Sequence, residues 1–172
     1  MKKRNKIVAI ITARLNSTRL NSKHILKANN KYMISHLIDR IKSIKSIDKI
    51  IIATTTNKID DKFVPIAKKH KVKIFRGSEQ NVKLRVLKAA KKFSADIICC
   101  VTGDCPIIDP RLIDQLINTF LINKNLDIAY FGCFKSFGLP NGMDSCVFSY
   151  KALKKSYQMT KKKDEFEHIS LN

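Results

Sequence analysis

The sequence predicts an α/β protein with a mostly parallel sheet and helices on both faces. Two observations carry this. Short apolar runs recur without polar interruption: Ile7-Val8-Ala9-Ile10-Ile11, Ile50-Ile51-Ile52 and Ile97-Ile98-Cys99-Cys100-Val101. Runs of that kind mark strands buried on both faces. Segments of helical spacing separate them, so strand and helix alternate through about four βα units joined by right-handed crossovers.

The elements follow in order. The first strand, Ile7 to Ile11, opens into a polar basic loop from Ala13 to Lys23. Residues 33–43 are a helix, because Ile34, Leu37, Ile38 and Ile41 recur at i, i+3, i+4 and i+7. Residues 49–54 form the next strand, closed by Thr54-Thr55-Thr56-Asn57. Asp60 and Asp61 then suit a helix N-terminus, as caps and as partners of the helix dipole. Phe63, Ile66, Ala67 and His70 give that helix its buried stripe, with Pro65 at the end of its first turn. A short strand at 73–75 ends in the turn Arg76-Gly77-Ser78-Glu79, and Val82, Val86, Ala89, Ala90 and Phe93 mark another helical face. The strand at 96–102 runs into Gly103-Asp104-Cys105-Pro106. Asp109-Pro110 starts a helix, with Asp as cap and Pro at the first helical position, and Leu112, Leu116, Ile117 and Phe120 continue it. A strand at 126–130, a turn at Pro140-Asn141-Gly142, a short strand at 146–148, a helix at 150–157 and a charged linker at 161–164 complete the chain.

The chain of 172 residues, 44% hydrophobic and 28% charged, suits one domain with a sizeable core. Its charge is unusual: 34 Lys and Arg against 14 Asp and Glu leave +20. Such a field attracts anions. The excess is mainly Lys spread along the whole chain, a pattern that compositional bias also produces. No aromatic-and-basic RNA-recognition motif or zinc-finger spacing accompanies it, so nucleic acid is only an alternative partner. The charged segment from Met1 to Lys6 precedes an apolar run too short for a signal peptide, and no apolar stretch can span a bilayer. Cys99, Cys100, Cys105, Cys133 and Cys146 lack paired spacing and read as reduced thiols, with Cys99 and Cys100 in a strand. A cytoplasmic protein is the expectation.

In an open α/β sheet the ligand crevice lies at the carboxyl ends of the strands. Three loops should meet there: 13–23, 54–57 and 103–106. The first places Arg14, Arg19 and Lys23 among Asn16, Ser17, Thr18, Asn21 and Ser22, so cations, hydroxyls and backbone N–H groups stand together. Polyphosphate oxygens need that combination; a solvated basic loop has the same composition. Asp104, a carboxylate just after a buried strand, can hold Mg²⁺ against phosphate or can cap a turn. Asp109 is better explained as a helix cap. His24, His36 and His70 have no second ligand at metal spacing and read as structural.

The stretch from Ile10 to Lys23 resembles the signature loop of the sugar cytidylyltransferases, A-R-x-x-S-x-R-L-P-x-K. That group includes the acylneuraminate and 3-deoxy-manno-octulosonate (Kdo) enzymes and the spore-coat polysaccharide biosynthesis group. Ala13, Arg14, Ser17, Arg19, Leu20 and Lys23 match the pattern, and Asn21 stands where the family has Pro. Ala53 to Asn57, Phe75 to Glu79, Thr102 to Pro106, Pro140 to Asp144 and Glu167 to Ser170 resemble the spore-coat group in order and spacing.

The resemblance implies a Rossmann-like nucleotide-diphospho-sugar transferase fold, as one domain over residues 1–172 shortened at its C-terminus. It implies transfer of CMP from CTP to an unidentified sugar, with Mg²⁺ as cofactor and pyrophosphate released, for surface polysaccharide synthesis. Arg14, Lys23 and Asp104 would carry the reaction. Arg14 and Lys23 would bind the triphosphate beside Ala13, Ser17 and Arg19, and Asp104 would hold Mg²⁺. Arg76, Gly77 and Ser78 would lie near base or ribose, with Thr54 also toward the nucleotide. Asn141, Asp144 and His168 would face the acceptor. A homodimer is a further expectation. Cys146 stands where the spore-coat group has an acidic residue, which leaves open a nucleotide-binding protein of impaired turnover.

Overall fold

The computed structural model describes residues 4–17, 20–131, 140, 142–161, 166 and 169. In chain order the strands are β1 (Ile7–Thr12), the two-residue strands β2 (Lys27–Ala28) and β3 (Lys31–Tyr32), β4 (Lys49–Thr55), β5 (Lys73–Gly77), β6 (Ile97–Thr102), β7 (Ile128–Phe131) and β8 (Ser145–Ser149). The helices are α1 (Met33–Lys42), α2 (Phe63–Lys69), α3 (Val82–Lys92), α4 (Pro110–Ile122) and α5 (Tyr150–Met159). Six strands form one sheet in the order β5-β4-β1-β6-β8-β7. β1 pairs in parallel with β4 and β6, and β4 with β5; β8 alone runs against its neighbours.

The unbroken apolar runs follow from two cores. Ile7, Ala9 and Ile11 point from β1 toward α1, α2 and α4, where Leu37, Ile38, Phe63, Ile113 and Ile117 are buried. Val8 and Ile10 point the other way, onto Val86, Ala89 and Ala90 of α3 and Leu153 of α5. A strand with both faces dry has no place for polar alternation. Each large side chain buried this way contributes about 1.5–3 kcal/mol. Lys83 on α3 is also fully buried, and its ammonium donates to Ser156 Oγ at 3.2 Å and Thr160 Oγ1 at 3.0 Å, tying α3 to the end of α5.

The expected caps hold at α4, where the Asp109 side chain accepts from the Arg111 N–H at 2.9 Å and Pro110 opens the helix. Three features differ from the sequence reading. Asp60 and Asp61 lie in a 3₁₀ turn, Lys58–Lys62, ahead of α2, and make no cap bond to it; the Asp60 carboxylate turns inward instead. β2 and β3 form a small hairpin whose turn residues Asn29 and Asn30 take φ of 48° and 59°, the left-handed values a two-residue hairpin turn requires. It is too short to show periodicity. β7 begins two residues later than expected, at Ile128 rather than Leu126, because Leu126 closes a turn onto Asn123 O.

Candidate active site

At β1 the strand order reverses, with β4 on one side and β6 on the other. Such a switch point opens a crevice at the carboxyl ends of the strands. The loop after β1 enters it from a firm base. Leu15 is fully buried, its N–H donates to Asp60 Oδ1 at 2.8 Å, and its carbonyl accepts from Ser22 N–H at 2.9 Å. Ala13 is buried and donates its N–H to Ala53 O at 3.2 Å. Arg14 and Ser17 are half-buried in the same loop. The chain then delivers Lys23 to Asp104, and the two side chains form an ion pair across the ends of β1 and β6. The cation and carboxylate singled out from sequence therefore converge. Burial alone would raise the Asp104 carboxyl, but the bond and charge of Lys23 outweigh it and hold its pKa below the ordinary 3.8.

Gly103 makes this approach possible. Its N–H donates to Thr12 O at 2.8 Å. A Cβ at this position would stand 3.0 Å from Ala13 Cβ, 3.0 Å from Thr12 O and 3.1 Å from His24 Nδ1. Two of these neighbours belong to the rigid end of β1. Gly103→Ala is expected to destabilise the fold by about 1–3 kcal/mol, the range for overpacking a core. Urea unfolding checks this, and an unchanged midpoint would show that the loops can part freely.

His24 is buried beside Gly103 and Phe63, its Nδ1 against the glycine backbone without a well-formed hydrogen bond. Burial lowers its pKa below 6.5, and burial does the same to His70, against the opposing pull of Asp39 at 3.1 Å. The unfolded chain then binds these protons more readily than the folded one. Stability is expected to be level above the unfolded value of about 6.5 and to fall as pH drops below it. Urea midpoints between pH 8 and 5.5 test the sign; a midpoint that rises on acidification contradicts it.

The ends of β4 and β5 form the other wall. The Asp60 carboxylate accepts from Thr55 N–H at 3.3 Å and from the Thr55 hydroxyl, so one buried acid joins the β1 loop to β4. Arg76 donates from Nε to Thr55 O and from Nη2 to Asn57 O, both at 2.9 Å, and pairs with Asp61. Its guanidinium thus braces the 55–61 segment. Ser78 Oγ accepts from Asn81 N–H at 3.1 Å, and Gly77 packs against Phe75 and Arg85. Arg19, Asn141 and His168 lie outside the described residues, as does Cys133.

Among the described residues, four buried side-chain polar atoms lack a hydrogen-bond partner: His24 Nδ1, Thr54 Oγ1, Arg85 Nε and Ser145 Oγ. All four belong to this one edge. Thr54 is next to last in β4, Ser145 pairs with Val101 near the end of β6, His24 touches Gly103, and Arg85 bonds Ser78. Native proteins satisfy nearly all buried polar groups, and exceptions concentrate where function needs them. Asp60, His24 and Arg85 are the residues sequence reasoning missed. Arg85 had one visible signal: it falls three residues after Val82, on the apolar stripe of α3.

The donor set also fits a hard cation. Among the described residues no group of three or more His, Cys, Asp or Glu gathers to hold a metal. Mg²⁺ needs fewer, binding through one or two carboxylates and completing its shell with water and substrate phosphates. Asp104 is paired with Lys23 and its side chain is 40% exposed, so it can offer a carboxylate oxygen to such a cation.

A doubly wound sheet with cations and a carboxylate at its switch point places the protein among α/β proteins with a crevice suited to an anionic ligand. Residues 8–168 match the family described as cytidylyltransferase. The chain belongs to the cytidylyltransferase family. It is 36% identical over 165 residues to an uncharacterized protein of Methanocaldococcus jannaschii, covering 96% of this chain and 65% of that one. It is 31% identical over 138 residues to the spore coat polysaccharide biosynthesis protein SpsF of Bacillus subtilis, covering 73% of this chain and 58% of that one. The solved structure of a cytidylyltransferase from Leptospira borgpetersenii superposes with a TM-score of 0.91 at 35% identity, covering 96% of this chain and 69% of that one. The chain thus spans less than two thirds of the length of these two sequence relatives. No helix among the described residues is long and apolar enough to cross a membrane.

Proposed function

We propose that the protein transfers CMP from CTP to a sugar hydroxyl and releases pyrophosphate, in the making of a surface polysaccharide. The observation that carries this is the meeting of Lys23 and Asp104 at the switch point of the sheet. In this reading Arg14, Arg19 and Lys23, with Ser17 and the loop that starts at Ala13, take the triphosphate. Thr54, Arg76, Gly77 and Ser78 line the nucleoside side, with the Arg76 guanidinium also holding the 55–61 segment. Asn141, Asp144 and His168 face the acceptor. The acceptor oxygen bonds to the α-phosphorus, the bond from that phosphorus to the bridging oxygen breaks, and the hydroxyl proton passes to water. Positioning and charge neutralisation supply most of the rate in such a transfer, so no activated Ser or Cys is needed. Asp104 would hold Mg²⁺, which draws charge from the phosphate oxygens. The reaction belongs in the cytoplasm, where CTP is available, and the active form is a homodimer.

The test combines thermal shift against each nucleoside triphosphate with a pyrophosphate-release assay, using CTP, Mg²⁺ and a panel of acidic sugars. CTP is expected to protect best, and one sugar to release pyrophosphate. Protection without release would reduce the role to nucleotide binding. No protection by millimolar CTP with Mg²⁺ would sink the reading.

A further inference from the structure

Arg85 is a cation in the wrong place for a solvated one: it is 2% exposed, on the sheet-facing side of α3. Its Nη1 donates to Ser78 O at 2.6 Å and reaches Glu79 O at 3.4 Å. Its stem closes on Gly77, where a Cβ would stand 3.2 Å from Arg85 Cγ and 2.9 Å from Phe75 Cε1. The turn after β5 is therefore gripped at its side and at its end. It is also one unit with the start of α3, since Ser78 Oγ accepts from Asn81 N–H and Asn81 Oδ1 accepts from Leu84 N–H at 2.7 Å. Across the crevice, the Glu79 carboxylate approaches the Asn16 amide of the β1 loop at 3.5 Å.

We infer that Arg85 is a positioning residue that fixes the Gly77-Ser78-Glu79 turn as the wall receiving the nucleoside end of the bound nucleotide. The inference rests on the CTP reading above. The cost of Arg85 supports it. Burial, and next the charge of Arg14, push its pKa down to about 10, and its Nε–H has no acceptor among the described residues. A brace serving stability alone has cheaper forms, because burying an incompletely paired charge is unfavourable. Both carbonyls are met by the one nitrogen Nη1, which stands one bond farther from the backbone than a lysine ammonium would, so lysine falls short of the turn. A wall set before the ligand arrives also lowers the entropy lost on binding. Arg85 therefore serves the nucleoside, while the β1 loop serves the phosphates.

The experiment titrates wild type, Arg85→Lys and Arg85→Gln with CTP and separately with tripolyphosphate, Mg²⁺ present throughout, and records melting temperatures. Arg85→Lys is expected to bind CTP about tenfold more weakly, a loss of roughly 1.4 kcal/mol. Its tripolyphosphate affinity should stay within about twofold, since 0.4 kcal/mol is the corresponding change. The KM for CTP should rise with little change in kcat. If both ligands weaken together, or neither weakens, the inference is overturned. Should Arg85→Gln not fold, Arg85→Lys, which keeps the charge, decides alone. Wild-type protein that binds neither ligand overturns the CTP reading and this one with it; wild-type binding left intact in Arg85→Lys overturns this one only.

Discussion

Asp104→Asn is expected to lower the rate of pyrophosphate release by about 10²–10³-fold, the usual cost of removing one preorganised electrostatic group from a reaction centre. The amide keeps the shape and the bulk but loses the charge that Lys23 and a cation would share. Stability should hardly move. The Lys23 and Asp104 side chains are 23% and 40% exposed. Such screened pairs contribute about 0–1 kcal/mol. The pH sign follows from the lowered carboxyl. A depressed carboxylate stabilises above its unfolded value and stops doing so as pH falls through its folded one. Asp104, held below 3.8, therefore stays ionised throughout the neutral range and gives the rate no pH dependence there. Initial rates and a melting curve on the same preparation make the test. A variant rate within twofold of wild type would remove Asp104 from the chemistry.

The largest loss of stability is expected from Asp60→Ala, about 3–5 kcal/mol, because it strips several buried donors of their acceptor at once. Asp60 is 1% exposed, and its carboxylate accepts from Leu15 N–H, Thr55 N–H and the Thr55 hydroxyl. Alanine leaves these donors dry and unpaired, at about 1–3 kcal/mol for each one left unsatisfied. Asp60→Asn keeps one oxygen and should fall between. Chemical denaturation of the three proteins gives the order. A cost below about 1 kcal/mol would mean that these bonds are worth no more than an ordinary exposed pair.

The contrast between Asp60 and Asp104 shows what could be read beforehand. Asp104 follows a buried apolar run, and the ends of parallel strands always face the same edge, so its meeting with the β1 loop follows from the pattern alone. Asp60 lies near a helix start, where a capping aspartate and an aspartate bridging two loops have the same local sequence. Only the distant donor, Leu15, separates the two, and that contact spans 45 positions. Arg85 was hidden for a related reason. A charged residue on an apolar stripe is usually taken for a margin residue, and the carbonyls that justify its burial come from a turn outside the helix. The parallel strands were legible from their unbroken apolar runs, and the helices α1, α3 and α4 because a stripe of apolar side chains recurs over two turns or more. The β2–β3 hairpin offered two residues per strand and no stripe at all.

The reversed direction of β8 brings its start back to the edge where the parallel strands end. Its first residue, Ser145, pairs with Phe131, the last of β7, so both ends of the excursion between these strands are moored where the parallel strands finish. A change in the length of that stretch is held at both ends by the β7–β8 ladder. In the function proposed above, where Asn141 and Asp144 face the acceptor, a lineage built on this plan would change its second substrate by editing that one stretch of gene.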